Sequence, residues 1–203
     1  MSWHLSIQTP ATFEPVSLDL IRQHCRIDDS YNDAYLTRLL DVAVASIEKD
    51  TGHVLATTTF NQYIDHWPGV DFIELKRVPI NSVTHVKWKD TAGTQTALTV
   101  TTEYLAELGS GDPAWPGRIV LPYSKNWPTG TLYPSDPIEI RFVAGYAADA
   151  AKPDPLVQAV LIMCGHLYEN REEVVVTDSQ TFAAEVPRTV KRLIAPYKLK
   201  VIG

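Results

Sequence analysis

The chain has 203 residues, 45% of them hydrophobic and 21% charged, with a formal net charge of -6 and a sequence pI of about 5.5. That is the composition of a soluble globular protein, long enough for one domain with an insertion or for two small ones. The acid surplus opposes a nucleic-acid-gripping role, which draws on Lys and Arg. With no apolar run of roughly eighteen residues and no basic-then-apolar leader, neither a membrane span nor a secretory signal is expected, so the reading is of a protein made in a cytoplasm.

Ser17 precedes a first helix with Asp19 in its opening turn and Leu18, Ile21 and Cys25 on one side, leading to Ile27. The next stretch, Arg26-Ile27-Asp28-Asp29-Ser30-Tyr31-Asn32-Asp33-Ala34-Tyr35-Leu36, concentrates Asp28, Asp29 and Asp33. Ser30 followed three residues later by Asp33 has the capping-box spacing, which predicts a helix start with the acids at the positive end of the dipole. An EF-hand loop counted from Asp28 needs glycine at its sixth position and glutamate at its twelfth. Asp33 and Leu39 stand there, so a cation site is not expected.

Downstream, Leu36, Leu39, Leu40, Ala43, Val44 and Ile47 recur at three- and four-residue steps, predicting a second helix over 31–51 with one buried stripe. Gly52 suits a left-handed cap.

From Val54 to Tyr146 the period switches to two. Strands are expected over 60–65, 72–75, 83–89, 97–100, 118–121 and 138–143, with a turn at Asp90-Thr91-Ala92-Gly93. Ile138-Glu139-Ile140-Arg141-Phe142 has the alternation of a half-buried antiparallel strand. Between Gly109 and Pro137 the prolines predict ordered loop or edge. The pairs Trp67-Pro68, Trp115-Pro116 and Trp127-Pro128 read as tryptophans pinned over a small sheet's core, with a partner-facing aromatic surface as the alternative.

Pro153 and Pro155 open a third helix with the stripe Leu156, Val160, Met163, Cys164 and Leu167. Residues 172–186 read as a polar linker broken by Val174-Val175-Val176. A short fourth helix follows Pro187 and carries Val190, Leu193 and Ile194. The expected fold is therefore α+β: a small bundle of four helices drawn from both chain ends (1–53 and 147–197), an antiparallel β-rich insertion (54–146), and a flexible C-terminal tail (198–203).

Chemistry is sought and not found. There is no Gly-x-Ser-x-Gly elbow, no phosphate-binding glycine loop and no His-Glu-x-x-His. His24-Cys25 and Cys164-x-His166 hold the two cysteines, but adjacent and i,i+2 residues on a helix diverge, so buried free thiols are expected rather than a zinc site. His166 and Glu169 share a helix face in the reverse order of the di-metal Glu-x-x-His pattern, with no second copy. The expectation is no catalytic residue, no metal and no cofactor. A metal-dependent hydrolase using His24, Asp28 and Asp29 is the outside alternative.

Four pieces in order resemble one family. His24-Cys25-Arg26-Ile27-Asp28-Asp29-Ser30-Tyr31-Asn32-Asp33-Ala34-Tyr35-Leu36, with Ala43, Ile47-Glu48 and Thr51-Gly52, looks like the opening helices of tailed-bacteriophage head-tail connectors (adaptor, or head completion, proteins). Pro79-Ile80-Asn81-Ser82-Val83 with Trp88-Lys89-Asp90-Thr91-Ala92-Gly93 follows, then Val143-Ala144-Gly145-Tyr146, then Gly165-His166-Leu167-Tyr168-Glu169-Asn170-Arg171-Glu172. The resemblance covers about residues 17–197; Cys25 departs from the aliphatic residue expected there.

The resemblance implies a structural virion protein without catalysis. Its partners would be further copies of itself in a ring of about twelve, built on a heterologous interface. The portal protein would lie above and a tail or stopper protein below. Packaged DNA would pass through the bore without sequence-specific binding, and no membrane is involved. The particle neck is the expected location, with assembly in the host cytoplasm. Another neck or tail-terminator component, or a gene-transfer-agent adaptor, is the alternative. Val174, Val175, Val176, Lys198, Lys200, Val201 and Ile202, which an intrachain core does not account for, are the candidate contacts to a neighbouring subunit or the portal.

Overall fold

The computed structural model describes residues 2–109, 111, 113–170, 174–177, 180–183 and 187–199. The chain divides into two compact units, one of Met1–Phe13 with Ala56–Asp149 and one of Glu14–Leu55 with Ala150–Gly203.

The first unit is built on a five-stranded antiparallel sheet of order β1-β2-β8-β4-β5. Its members are β1 (Trp3–Thr9), β2 (Thr58–Ile64), β4 (Ile80–Lys89), β5 (Gln95–Ala97) and β8 (Ile138–Ala144). A smaller sheet of order β3-β7-β6 joins β3 (Phe72–Glu74), β6 (Leu105–Glu107) and β7 (Arg118–Val120).

Strand β8 is central because its alternation serves both neighbours. Ile138, Ile140, Phe142 and Ala144 are wholly buried, while Glu139, Arg141 and Val143 face the other side. Phe142 is registered against Phe60 of β2 and Val83 of β4, and its ring lies 5.8 Å from that of Phe60. Each such side chain contributes roughly 1.5–3 kcal/mol by leaving water.

Gln62 is a buried polar residue on the same face of β2 as Phe60 and Ile64. Its amide donates to the Glu74 carbonyl at 2.9 Å and accepts from the Lys76 N–H at 3.0 Å, so a side chain 1% exposed has both amide atoms satisfied.

In this unit five expected strands are present with shifted ends, the one expected at 97–100 is displaced to Gln95–Ala97, and two more, β1 and β6, were not expected. Strand β1 falls in the segment assigned from sequence to the helices, yet Trp3, Leu5 and Ile7 alternate with polar residues and pair with β2. Strand β6 pairs with β7, whereas the strand expected at 97–100 stops at Ala97, and Val100 makes only an isolated bridge to Tyr104. The tryptophans divide. Trp127 is 9% exposed, stacks on Trp67 at 4.9 Å and 5°, and donates to the Val70 carbonyl; Trp115 is 67% exposed.

The second unit contains α1 (Leu18–Cys25), α2 (Asp33–Thr51), α3 (Asp154–Glu169), α4 (Arg188–Ile194), a 3-10 turn (Ala195–Tyr197) and the hairpin of β9 (Val174–Thr177) and β10 (Gln180–Ala183). Helix α3 packs against each of the other three helices. The buried stripes are Leu36, Leu39, Leu40, Ala43 and Ile47 on α2, and Leu156, Ala159, Val160, Leu161, Met163 and Cys164 on α3. Val190 and Ile194 bury the inner side of α4.

Ser17 caps α1 as expected, accepting from the Leu20 N–H at 3.3 Å. Gly52 closes α2 at φ +78°.

The capping box at Ser30 and Asp33 does not form. A box needs its acid at the third helical position, and Asp33 is instead the first helical residue, behind an Asn32 that makes no side-chain cap bond. The Asp33 carboxylate turns to Arg22 of α1. Residues 172–186, expected as linker, hold the hairpin β9–β10 among their described members. Lys198 and Leu199, assigned from sequence to a flexible tail, are placed: the Leu199 N–H donates to the Thr51 carbonyl at 2.9 Å.

Candidate interaction surfaces

Within the helical unit, the corner between α1 and α2 gathers the acids that the sequence singles out. Arg26, left-handed at φ 56°, ends α1 and turns the chain through Asp28 and Asp29, both exposed. The Asp29 carboxylate accepts the Tyr31 N–H at 3.1 Å and fixes the loop, leaving Tyr31 90% exposed. Asp33 is occupied by Arg22, whose guanidinium bonds both of its oxygens at 2.8 and 2.6 Å and also holds Asp19. That fork holds the Asp33 carboxyl below its usual range and raises Arg22. Asp33 is therefore held by the half-buried Arg22 and Asp19 pairs with the same guanidinium at the surface, while Asp28 and Asp29 are exposed.

The cysteines meet in the same unit. His24, Cys25, Gly165, His166, Glu169 and Pro187 line a shallow cleft. A Cβ at Gly165 would stand 3.4 Å from the His24 ring, an ordinary contact, so α1 lies against α3 here without a steric need for glycine. Burial pushes the Cys164 thiol up to about 12, with Cys25 adding in the same direction; burial and then Glu169 raise Cys25. Thiols held protonated are poor nucleophiles and poor metal ligands. His166 is used structurally: the Asn170 amide lies 3.2 Å from its Nδ1 and donates to its carbonyl at 2.9 Å. Among the described residues, no three His, Cys, Asp or Glu side chains come together in a way that holds a metal.

Of the sequence-selected contact residues, Val174, Val175 and Val176 lie in β9, registered against Ala183, Phe182 and Thr181 of β10. Lys198 is exposed just beyond the 3-10 turn. Lys200, Val201 and Ile202 lie outside the described residues.

Two features were not drawn from sequence. Helix α4 buries Val190 and Ile194, and its opposite arc carries Arg188, Lys191 and Arg192, all exposed. Between 187 and 199 there is no acidic residue. Three cations in five residues around an apolar pair are visible in the sequence once the helix is located.

In the β unit, a polar lattice crosses the sheet on the side away from Phe142. Gln8 of β1 accepts from Asn61 of β2 at 3.2 Å, Arg141 of β8 donates to Asn61 at 2.9 Å and to Glu139 at 3.4 Å, and His85 of β4 meets Glu139 at 2.8 Å. Only the register of four strands reveals that alignment.

Residues 15–99 match the family described as phage gp6-like head-tail connector protein. A comparison with curated proteins by sequence finds no match.

Solved structures match over the whole chain. One is described as the neck of an empty GTA particle computed with C6 symmetry, at 24% identity and TM-score 0.76 over 98% of both chains. A second is described as the virion of a native gene transfer agent (GTA) particle, at 26% and 0.74 over 98% of this chain and 97% of that one. A third is described as the neck of a native GTA particle computed with C12 symmetry, at 26% and 0.72 over 100% and 98%. Residues 15–99 are thus similar to the phage head-tail connector family and the whole chain to chains of gene-transfer-agent necks and virions, and these similarities support the role of a structural connector.

Proposed function

We propose that this protein assembles head to tail into a ring in the neck of a phage or phage-like particle, between the portal and the tail components, sealing the packaged head while leaving a path for DNA. The observation that carries this reading is the end-to-end similarity to neck chains of particles described with C6 and C12 symmetry. A closed ring needs two different faces on each copy, meeting head to tail. The net charge of -6 suits a bore along which DNA slides without sticking. The hairpin carrying Val174, Val175 and Val176, and the tail with Lys198, Lys200, Val201 and Ile202, are proposed contacts to the neighbouring subunit or the portal. The protein acts without catalysis.

Particles made without this chain are expected to package DNA and then leak it or fail to join tails. Normal infectious or transducing particles in its absence would overturn the reading. A lysine-lined bore in the assembled ring would sink the charge argument alone. Removal of residues 198–203 with portal attachment unchanged would take the tail out of the interface.

A further inference from the structure

We infer that β1 pairs along its outer edge with β1 of a second copy of this chain, antiparallel about a two-fold axis at Leu5, so that two five-stranded sheets join into one continuous sheet. The pairing is a contact of the free chain. It is isologous and closes on itself, and so is separate from the head-to-tail contact proposed above for the ring.

An edge strand presents a row of N–H and C=O groups to any strand that reaches it. Natural sheets blunt such edges with short strands, charged side chains, proline or bulges. Among the described residues, the edge strands β3, β5 and β6 have three residues each. Strand β4, where β5 does not cover it, has its ladder to β8 shifted in two places. Strand β1 carries none of these devices over its first five residues. Trp3-His4-Leu5-Ser6-Ile7 contains no Lys, Arg, Asp, Glu or Pro, and its register against β2 is unbroken as far as Ile7. Trp3 is 44% exposed and Ile7 62%, although both stand on the side of the sheet that holds Phe60 and Phe142.

The regular stretch has Leu5 at its centre, and that fixes the register. Trp3 then faces the partner's Ile7, His4 faces the partner's Ser6, and Leu5 faces the partner's Leu5. Directly opposed residues of an antiparallel pair lie on one side of the sheet, and an aromatic opposite a β-branched side chain is a favoured pair. The two exposed apolar side chains of each copy thus cover those of the other. Charge is matched as well. His4, the one titratable side chain of the stretch, stacks on Tyr63 at 4.8 Å and lies 3.7 Å from Asp136, and in this register it meets a serine. Sliding by two residues one way opposes His4 to its own copy. Sliding the other way carries the pairing into the register shift between Ile7 and Thr9. Sliding by one residue puts apolar side chains opposite the polar side.

The test is analytical ultracentrifugation of the full chain over about a hundredfold range of concentration, joined to hydrogen exchange of the 3–7 amides at both ends of that range. The wild-type chain is expected to pass from monomer to dimer, with exchange of 3–7 slowing as it does. Ile7→Lys is expected to weaken the dimer by about tenfold or more and to abolish the concentration-dependent protection, with the melting point of the dilute chain unchanged. Ile7→Val, which keeps the apolar pair, should leave both as in wild type. A wild-type chain that stays monomeric throughout overturns the inference. So does a dimer that Ile7→Lys leaves intact, or one whose protection falls outside 3–7. Should Ile7→Lys lower the melting point, the wild-type exchange decides alone, and protection of 3–7 that does not change with concentration overturns the pairing. A monomeric wild type whose Ile7→Lys form is lost from particles would give the edge to another partner, and also overturns it.

Discussion

Arg22 grips Asp33 through two hydrogen bonds, Nε to Oδ1 at 2.8 Å and Nη2 to Oδ2 at 2.6 Å, and so joins α1 to the first turn of α2. The pair sets the angle at which the chain enters α2. A lysine at position 22 offers no planar fork and would not reproduce the contact.

The pair gives stability a definite pH dependence. Asp33 has its carboxyl lowered from an ordinary value of 3.8, first by the Arg22 hydrogen bond, so the unfolded chain takes up this proton before the folded one does. The contribution is complete above the ordinary carboxylate value and is lost as pH falls below it through the folded one. Asp33→Asn is expected to lower the urea midpoint at pH 7, with the gap to wild type closing toward pH 2. Equal midpoints at pH 7 would show that the fork contributes nothing.

Phe142 is wholly buried on the central strand of the five-stranded sheet. Phe142→Ala removes the ring that faces Phe60 and leaves a cavity between two strands. A loss of about 3–5 kcal/mol is expected, read from chemical denaturation followed by tryptophan fluorescence.

Gly52 closes α2 in the left-handed region, and a Cβ there would also run into the Leu199 side chain. Gly52→Ala should cost about 1–2 kcal/mol from backbone alone, with more from the collision. Adding Leu199→Ala is expected to recover the collision part and not the backbone part, which a double-mutant cycle of melting temperatures would separate.

Cys164, buried and with its thiol pushed up to about 12, is expected to resist alkylation in the native protein at pH 8. Cys25, half-buried, should react first but slowly, and both should label within the dead time after unfolding. Mass spectrometry after timed quenching distinguishes the two sites.

Amphipathic periods do not depend on where the rest of the chain goes, and for that reason α2, α3 and β8 were legible without coordinates. The stripe from Leu36 to Ile47 and the alternation from Ile138 to Phe142 each have one way of leaving water. Ser17 and Gly52 were legible for a similar reason, because capping is settled within a few residues.

What failed was local chemistry with a distant competitor. Ser30 and Asp33 have capping-box spacing, but Arg22, eleven residues earlier, takes the carboxylate. Strand β1 carries the alternation Trp3, Leu5, Ile7, but a short edge strand forms only where a partner such as β2 offers its ladder.

The sequence by itself therefore determined the α+β class, the main buried stripes, and an ordered set of segments resembling a connector family. These depend on period, composition and short-range order. Only the tertiary structure decided which acids at the α1–α2 corner Arg22 takes, that Arg188 and Arg192 of α4 are exposed, and that Gln8, Asn61, Arg141, Glu139 and His85 align across four strands. Those outcomes depend on which side chains from remote segments arrive within about 3 Å of one another, the range over which a hydrogen bond or ion pair is decided.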